Sequence, residues 1–353
     1  MKNIKIYLLS LPLLATLILT GCAHTGDDSE PSYNSNPNTT TQEQVSQNQD
    51  EEKETQEQKP SYHPKVSLQA FSQRDFTGGN LQLKEVLREN SAYTRYYITY
   101  ESEDLTISGI MNIPKGEGPF PVLILNHGYI PPEIYTVGRG LKREQDYFAR
   151  NGYVVLHPDY RNHGDSTKVD NSPLNFDLDY TTDVINAVKA VKKSDRPEFD
   201  TENIGMLGHS MGGGIALNLA TTHPKLIDAL ALYAPVSGYE WKNFRRWTLR
   251  DEGEETTETS SEAQKVLDEY GAPSTNPKFW KNVSPINFVE KIDDPVILQH
   301  GTADESVPLK WSRELNKAMK SANKEIEFYT YEGGKHEFID YWDQFMQRNL
   351  EFF

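Results

Sequence analysis

Gly208-His209-Ser210-Met211-Gly212 lies between a short apolar run, Ile204 to Leu207, and a second apolar stretch through Ile215, Leu217, Leu219 and Ala220. A serine between glycines, on the passage from strand to helix, describes a turn so tight that the hydroxyl stands exposed. A Cβ at either glycine would collide with neighbouring backbone. Such a hydroxyl suits attack on a carbonyl carbon, because the helix N-terminus behind it puts partial positive charge where an oxyanion would form. Serine is a weak nucleophile until a base takes its proton and a carboxylate orients that base. Two later segments offer those groups. His300-Gly-Thr-Ala-Asp304-Glu-Ser-Val-Pro308 follows the apolar run Val296 to Gln299, and Glu332-Gly-Gly-Lys-His336-Glu-Phe338 follows Ile326 to Tyr331. The candidates therefore come in the chain order Ser210, Asp304, His336. Asp304 competes with Glu305, Asp293 and Asp294, but it alone lies a few residues past a buried strand and before the Val307-Pro308 start of a helix.

These residues need strand ends to hold them. Leu81 to Leu87, Tyr93 to Tyr100 and Leu105 to Ile113 are rich in Thr, Tyr, Ile and Val with partial alternation, and predict an antiparallel start with a turn at Glu101–Asp104. Pro119 to Asn126 contains the continuous run Val-Leu-Ile-Leu of a strand buried on both faces. It ends in His127-Gly128-Tyr129. Helix is predicted over Leu141–Arg150, Leu178–Lys193, the segment after Ser210, Leu309–Ala322 and from Glu337 on. Strand is predicted at Tyr153–Leu156, Ala229–Tyr233, Val296–Gln299 and Ile326–Tyr331. Strands alternating with helices imply an α/β fold with a mainly parallel, doubly wound sheet and ligands at the carboxyl ends of its strands.

The first 22 residues carry Lys2 and Lys5, a short Pro-interrupted apolar core, and Leu19-Thr20-Gly21-Cys22. That pattern predicts a secretory signal rather than a membrane span. Leu-Thr-Gly-Cys resembles the bacterial lipobox, which implies that Cys22, the single cysteine, is lipidated and becomes the first residue of an exported, membrane-anchored protein. With one cysteine no internal disulfide is available, so the core must suffice. Residues 23–64 are polar, with the acidic run Asp50–Glu54, and too poor in apolar side chains to offset the entropy of ordering. About forty residues of coil reach ~35 Å, which suits a tether. The net charge of −16 argues against nucleic acid and against electrostatic adhesion to anionic lipid. Residues 65–353 remain for one folded domain.

From about Tyr96 to the end, the chain resembles the α/β-hydrolases, and most closely the catalytic domain of the prolyl oligopeptidase family and its esterase-like relatives. The resemblance rests on Gly-His-Ser210-Met-Gly-Gly, His-Gly-Thr-Ala-Asp304-Glu-Ser-Val-Pro and Gly-Gly-Lys-His336-Glu-Phe, and on Asp146 to Ser166 as the fourth-strand region. It implies a Ser210–His336–Asp304 triad acting through an acyl-enzyme. The oxyanion hole would be the backbone N–H groups of Met211 and Tyr129, and no cofactor would be needed. The Tyr129 hydroxyl either adds a hydrogen bond or points to solvent. The full-length peptidases of the family carry a β-propeller, and some hold a substrate amine on acidic residues; between Val66 and Tyr96 there is room for two or three strands and no propeller. The resemblance also implies a cap, here residues 236–283. Its Trp241, Phe244, Trp247, Phe279 and Trp280 either line an apolar pocket or pack the cap down.

His209 is expected to support the turn. His157, Asp159, His163 and Asp165 imitate a metal cluster without helical His spacing or cysteine to support one, and belong instead to a bracing loop in which Arg161 pairs locally. Gly212-Gly213-Gly214 belongs to the turn and is no nucleotide fingerprint. Two classes of function follow. One is a lipid-anchored serine hydrolase acting on a small ester or, alternatively, on short peptides. The other is a catalytically silent surface binding protein. The sequence leaves the oligomeric state open.

Overall fold

The computed structural model describes residues 66–170, 173–250 and 259–353. The leader with Cys22, the whole tether and the Asp251–Glu255 run lie outside the described residues.

A four-residue helix α1 (Leu68–Phe71) precedes three strands, β1 (Gly79–Glu89), β2 (Tyr93–Ser102) and β3 (Leu105–Pro114). The alternating part follows: β4 (Phe120–Asn126), α2 (Lys142–Arg150), β5 (Val154–Pro158), α3 (Leu178–Lys192), β6 (Phe199–His209), α4 (Met211–Thr222) and β7 (Ala229–Tyr233). Between β7 and β8 lie α5 (Glu240–Asn243), a π-helical stretch Phe244–Leu249, α6 (Ser261–Tyr270) and α7 (Pro277–Asn282). The chain closes with β8 (Val296–Gly301), α8 (Leu309–Ser321), β9 (Ile326–Tyr331) and α9 (Trp342–Phe352).

The nine strands form one sheet in the order β1-β2-β3-β5-β4-β6-β7-β8-β9. The first three and the β3–β5 pair are antiparallel, and every pair from β5 to β9 is parallel. This is the α/β-hydrolase arrangement, and it follows from patterning. In β4, Val122 and Ile124 enter one apolar layer while Leu123 and Leu125 enter the other. A strand buried on both faces needs helices on both faces. α3, α4 and α8 cover one side, with Val184, Leu217 and Leu315 in its core, and α2 and α9 cover the other with Phe148 and Phe345.

Three expectations need correction. β6 starts at Phe199 rather than Ile204, because Phe199 and Asp200 pair with Phe120 and Pro121 before the three polar residues 201–203 break the register. The last helix begins at Trp342 rather than Glu337. Phe338 adopts a left-handed φ of 47° and drives its fully buried ring among Tyr233, Tyr331 and Phe345, at centroid distances of 4.5, 4.9 and 5.3 Å. Arg161 pairs with a residue distant in sequence. Its N–H, Nε and Nη2 donate to Asp183 on α3 at 2.8, 3.0 and 2.8 Å, and Ser102 Oγ donates to the same carboxylate at 2.7 Å. The pair is buried and ties the loop after β5 to a helix and to β2. Breaking such a pair strands the remaining charge, so Asp183→Ala is expected to cost about 3–5 kcal/mol, read as a lower urea midpoint and a Tm reduced by several degrees.

Candidate active site

The turn after β6 is held by convergence of backbone. Ser210 has φ 54° and ψ −118°, an unfavourable conformation for a residue with a side chain. Its N–H donates to Tyr233 O at 3.0 Å, and its carbonyl accepts from Gly213, Val236 and Gly214 at 2.9, 3.1 and 3.3 Å. A Cβ at Gly208 would lie 2.3 Å from Gly212 O, and one at Gly212 would lie 2.2 Å from Asn126 O. Side chains therefore cannot enter where β6, α4 and the end of β4 meet. Gly128 is tight to a lesser degree, since a Cβ there would meet Ser210 Cβ at 3.1 Å. The two candidate oxyanion donors leave from this junction. Met211 N–H is in the first turn of α4, whose leading N–H groups lack intrahelical partners. Tyr129 follows Gly128, and its exposed ring lines the cavity with its hydroxyl unpaired among the described residues.

The loop carrying Tyr129 is braced from behind. His127 stacks on Tyr160 at 4.3 Å and on His157 at 5.3 Å, and burial pushes it down to about 4, so it is neutral at pH 7. Asp159 accepts from Ser108 Oγ (2.6 Å), Tyr135 Oη (2.8 Å) and Gly138 N–H (2.8 Å); burial nonetheless raises it to about 6. Both carboxylate oxygens are thus committed to the brace. Among the described residues no group of three His, Cys, Asp or Glu converges as a metal site requires.

Asp304 and His336 meet across the loops after β8 and β9. His336 Nδ1 lies 2.8 Å from Asp304 Oδ2, with the carboxylate side chain fully buried and the imidazole nearly so. Asp304 Oδ1 accepts from the N–H groups of Ser306 and Val307, each at 2.8 Å. Burial alone would raise the carboxyl, but hydrogen bonds from His300, His336 and Val307 hold it well below the usual carboxylate range. The close approach of the two loops depends on Gly301, where a Cβ would fall 2.1 Å from Gly334 O. His209 packs between them and the turn, its ring 4.6 Å from His336 and 4.1 Å from Tyr233. Burial and the neighbouring His336 push it down to about 3, so it acts as a neutral spacer.

Ser210, His336, Met211 and Tyr129 all line one cavity of about 1720 Å³ beneath the elements between β7 and β8. Among the described residues no hydrogen bond joins Ser210 Oγ to His336. The aromatic residues of that region divide between the two roles open to them. Phe244 and Trp247 line the cavity, whereas Phe279 stacks on Tyr270 at 4.1 Å and Trp280 packs edge-on to Trp241 at 4.7 Å. Patterning did not single out Phe176, Asp177, Tyr180 or Arg246. Phe176 precedes α3 and receives Tyr270, Phe279 and Trp280, and Arg246 Nε donates to Ser306 O at 2.9 Å beside Asp304.

A mostly parallel sheet with a strained serine at the end of a central strand and an Asp–His pair at two later ones defines a serine hydrolase of the α/β-hydrolase fold. Residues 140–353 match the prolyl oligopeptidase family, and the chain belongs to it. It is 26% identical to the esterase EstD of Thermotoga maritima over 62% of this chain, and spans only 56% of that relative. It is 25% identical to YtmA of Bacillus subtilis, described as an uncharacterized peptidase, over 69% of this chain and 86% of YtmA. The acetyl xylan esterase from Paenibacillus sp. R4 shares its fold, with a TM-score of 0.60 at 20% identity over 80% of this chain and 91% of that one. The described residues before β3 form α1 and two strands, with no propeller among them.

Because Asp304 is depressed in the folded state, it stabilises the fold fully above the unfolded value of about 3.9, and that contribution is lost as pH falls through the folded value. Asp304→Asn turns an amide toward groups that all donate. It is expected to cost about 2–4 kcal/mol at pH 7, and urea titrations should show the gap to wild type closing only below about pH 4.

Proposed function

We propose that the chain is an exported, lipid-anchored serine hydrolase that cleaves a carboxylic ester through an acyl-enzyme. The observation that carries this reading is His336, which lines the same cavity as Ser210 and is held from behind by the buried Asp304 at 2.8 Å. Ser210 Oγ attacks the carbonyl carbon while His336 takes its proton, and the tetrahedral oxyanion is held by the N–H groups of Met211 and Tyr129. Asp304 keeps His336 in the tautomer that presents Nε2 to the serine and stabilises the imidazolium. The imidazolium protonates the leaving alcohol, and a water activated by the same histidine releases the acid. The Ser210–His336 hydrogen bond is assigned to the substrate-bound state, since such contacts are often long without ligand. The anchor reading rests on Leu19-Thr20-Gly21-Cys22. EstD and the acetyl xylan esterase, both described as esterases, support the choice of ester.

A fluorophosphonate should label the purified protein, and Ser210→Ala should abolish labelling while leaving Tm nearly unchanged. An unlabelled, folded wild type would leave only the silent binding role.

A second reading, cleavage of short peptides with a free amino end, is favoured by the carboxylates of the cavity. Asp177 and Glu240 both line it; burial, with Asp179 nearby, raises Asp177 to about 6, and burial together with Asp177 raises Glu240. An ammonium placed between them would relieve both shifts. Turnover of aminoacyl and acetyl p-nitrophenyl esters separates the two readings. If the amine is bound there, Asp177→Asn with Glu240→Gln should lower the aminoacyl-to-acetyl ratio of kcat/KM about tenfold, the worth of one charge-assisted hydrogen bond. An unchanged ratio leaves the ester reading alone.

A further inference from the structure

Asp304 answers to two histidines. His300, at the end of β8, is wholly buried, and its Nε2 lies 3.1 Å from Asp304 Oδ2, the same oxygen that faces His336 Nδ1 at 2.8 Å. Nε2 is also 3.0 Å from Val307 O, and Nδ1 is 2.7 Å from Ser312 Oγ on α8. Both neighbours of Nε2 are acceptors, so Nε2 carries the proton and divides it between them. Nδ1 is then the acceptor, and the Ser312 hydroxyl donates to it. This assignment satisfies every atom in the set. Asp304 accepts Ser306 and Val307 N–H on Oδ1 and His336 on Oδ2, and the His300 Nε2–H that Val307 O receives stands 3.1 Å from that same Oδ2. A carboxylate filled in this way cannot turn about its terminal bond without losing two contacts at once.

We propose that His300 is a positioning residue for the reaction, held in one tautomer by Ser312, which aims Asp304 Oδ2 at His336 and draws off part of its negative charge. The proposal rests on the Ser210–His336–Asp304 reading. Two consequences follow, one geometric and one electrostatic. With His300 present, the carboxylate plane is fixed and so is the imidazole it holds. With His300 removed, Oδ2 concentrates its charge on His336, favours the imidazolium and raises the pH at which His336 becomes a competent base. Other groups facing the pair are His209 from the end of β6, Glu305 (whose Oε2 lies 3.4 Å from His336 N) and Glu337 beside it; Arg246 reaches the same loop from above. All of these remain in the variants below, so a shift between variants belongs to the His300 contact.

The experiment is the pH dependence of fluorophosphonate labelling at Ser210, which needs no knowledge of the substrate. In wild type the labelling rate should fall on the acid side as His336 protonates; wild type without labelling overturns the triad reading itself. His300→Leu should move that acid limb up by about 0.5–1 unit, so that at pH values below it labelling slows about three- to tenfold. His300→Gln, which keeps a donor at the same reach, should recover part of the shift. A folded His300→Leu with the limb of wild type overturns the proposal, and so does a slower plateau without movement of the limb, since that is loss of packing alone. Where His300→Leu fails to fold, Ser312→Ala decides. It frees the proton to leave Nε2 and should move the limb in the same sense by a smaller amount; an unmoved limb there overturns the proposal.

Discussion

Ser210 sits at φ 54° and ψ −118°, and the site is arranged around what holds it there. An outlier of this kind costs on the order of 1–3 kcal/mol and persists only where its surroundings over-determine it. Here the surroundings are backbone. Tyr233 O takes the Ser210 N–H, three N–H groups take its carbonyl, and Gly208 and Gly212 meet within distances that admit no side chain. Ser210 and Met211, the first residue of α4, both line the cavity from this turn. The candidate nucleophile and one candidate oxyanion donor thus stand on one backbone turn.

The Asp304–His336 half of the candidate site is built on the opposite principle. Neither Asp304 nor His336, in the loops after β8 and β9, has a left-handed backbone; the pair relies on a carboxylate that accepts on both oxygens. Burial works against the charge on Asp304, and the hydrogen bonds overcome it. Because Ser306 and Val307 donate to the carboxylate while Arg246 holds Ser306 O, the segment above the cavity is mechanically continuous with the loop that orients His336. Substrate-dependent movement of that segment would be felt at the base.

The catalytic candidates were legible in the sequence because strand ends are. A buried strand shows as an apolar run, and polar residues just past it have few places to go but the carboxyl edge of the sheet. Parallel order and the two-faced core followed from the same runs. What escaped were features set by contacts distant in sequence. Phe338 takes a left-handed φ because three aromatic rings make room for it, and helix propensity at Glu337 carries no trace of those rings. Arg161 finds Asp183 across 22 residues, and the short Phe199–Asp200 pairing is hidden by the polar residues that interrupt it. His300 was visible as the first residue of a motif, but its bond to Asp304 depends on how the loop folds back through Val307.

The bond-cutting machinery is indifferent to the choice between ester and amide, since either carbonyl presents the same oxyanion. Selection must come from the rest of the cavity. At about 1720 Å³ it exceeds the ~300–1,000 Å³ usual for small-ligand sites. Phe244, Trp247, Asp177 and Glu240 line it together with Ser210. Binding energy from remote parts of a substrate raises the rate when it is realised in the transition state. On the proposed reading, that lining offers apolar surface and negative charge to the remote part of a substrate. On the same reading, Ser210, His336 and Asp304 set the manner of cutting, while Phe244, Trp247 and Glu240 from the elements between β7 and β8, with Asp177 from the segment before α3, supply the apolar surface and charge that a substrate would meet.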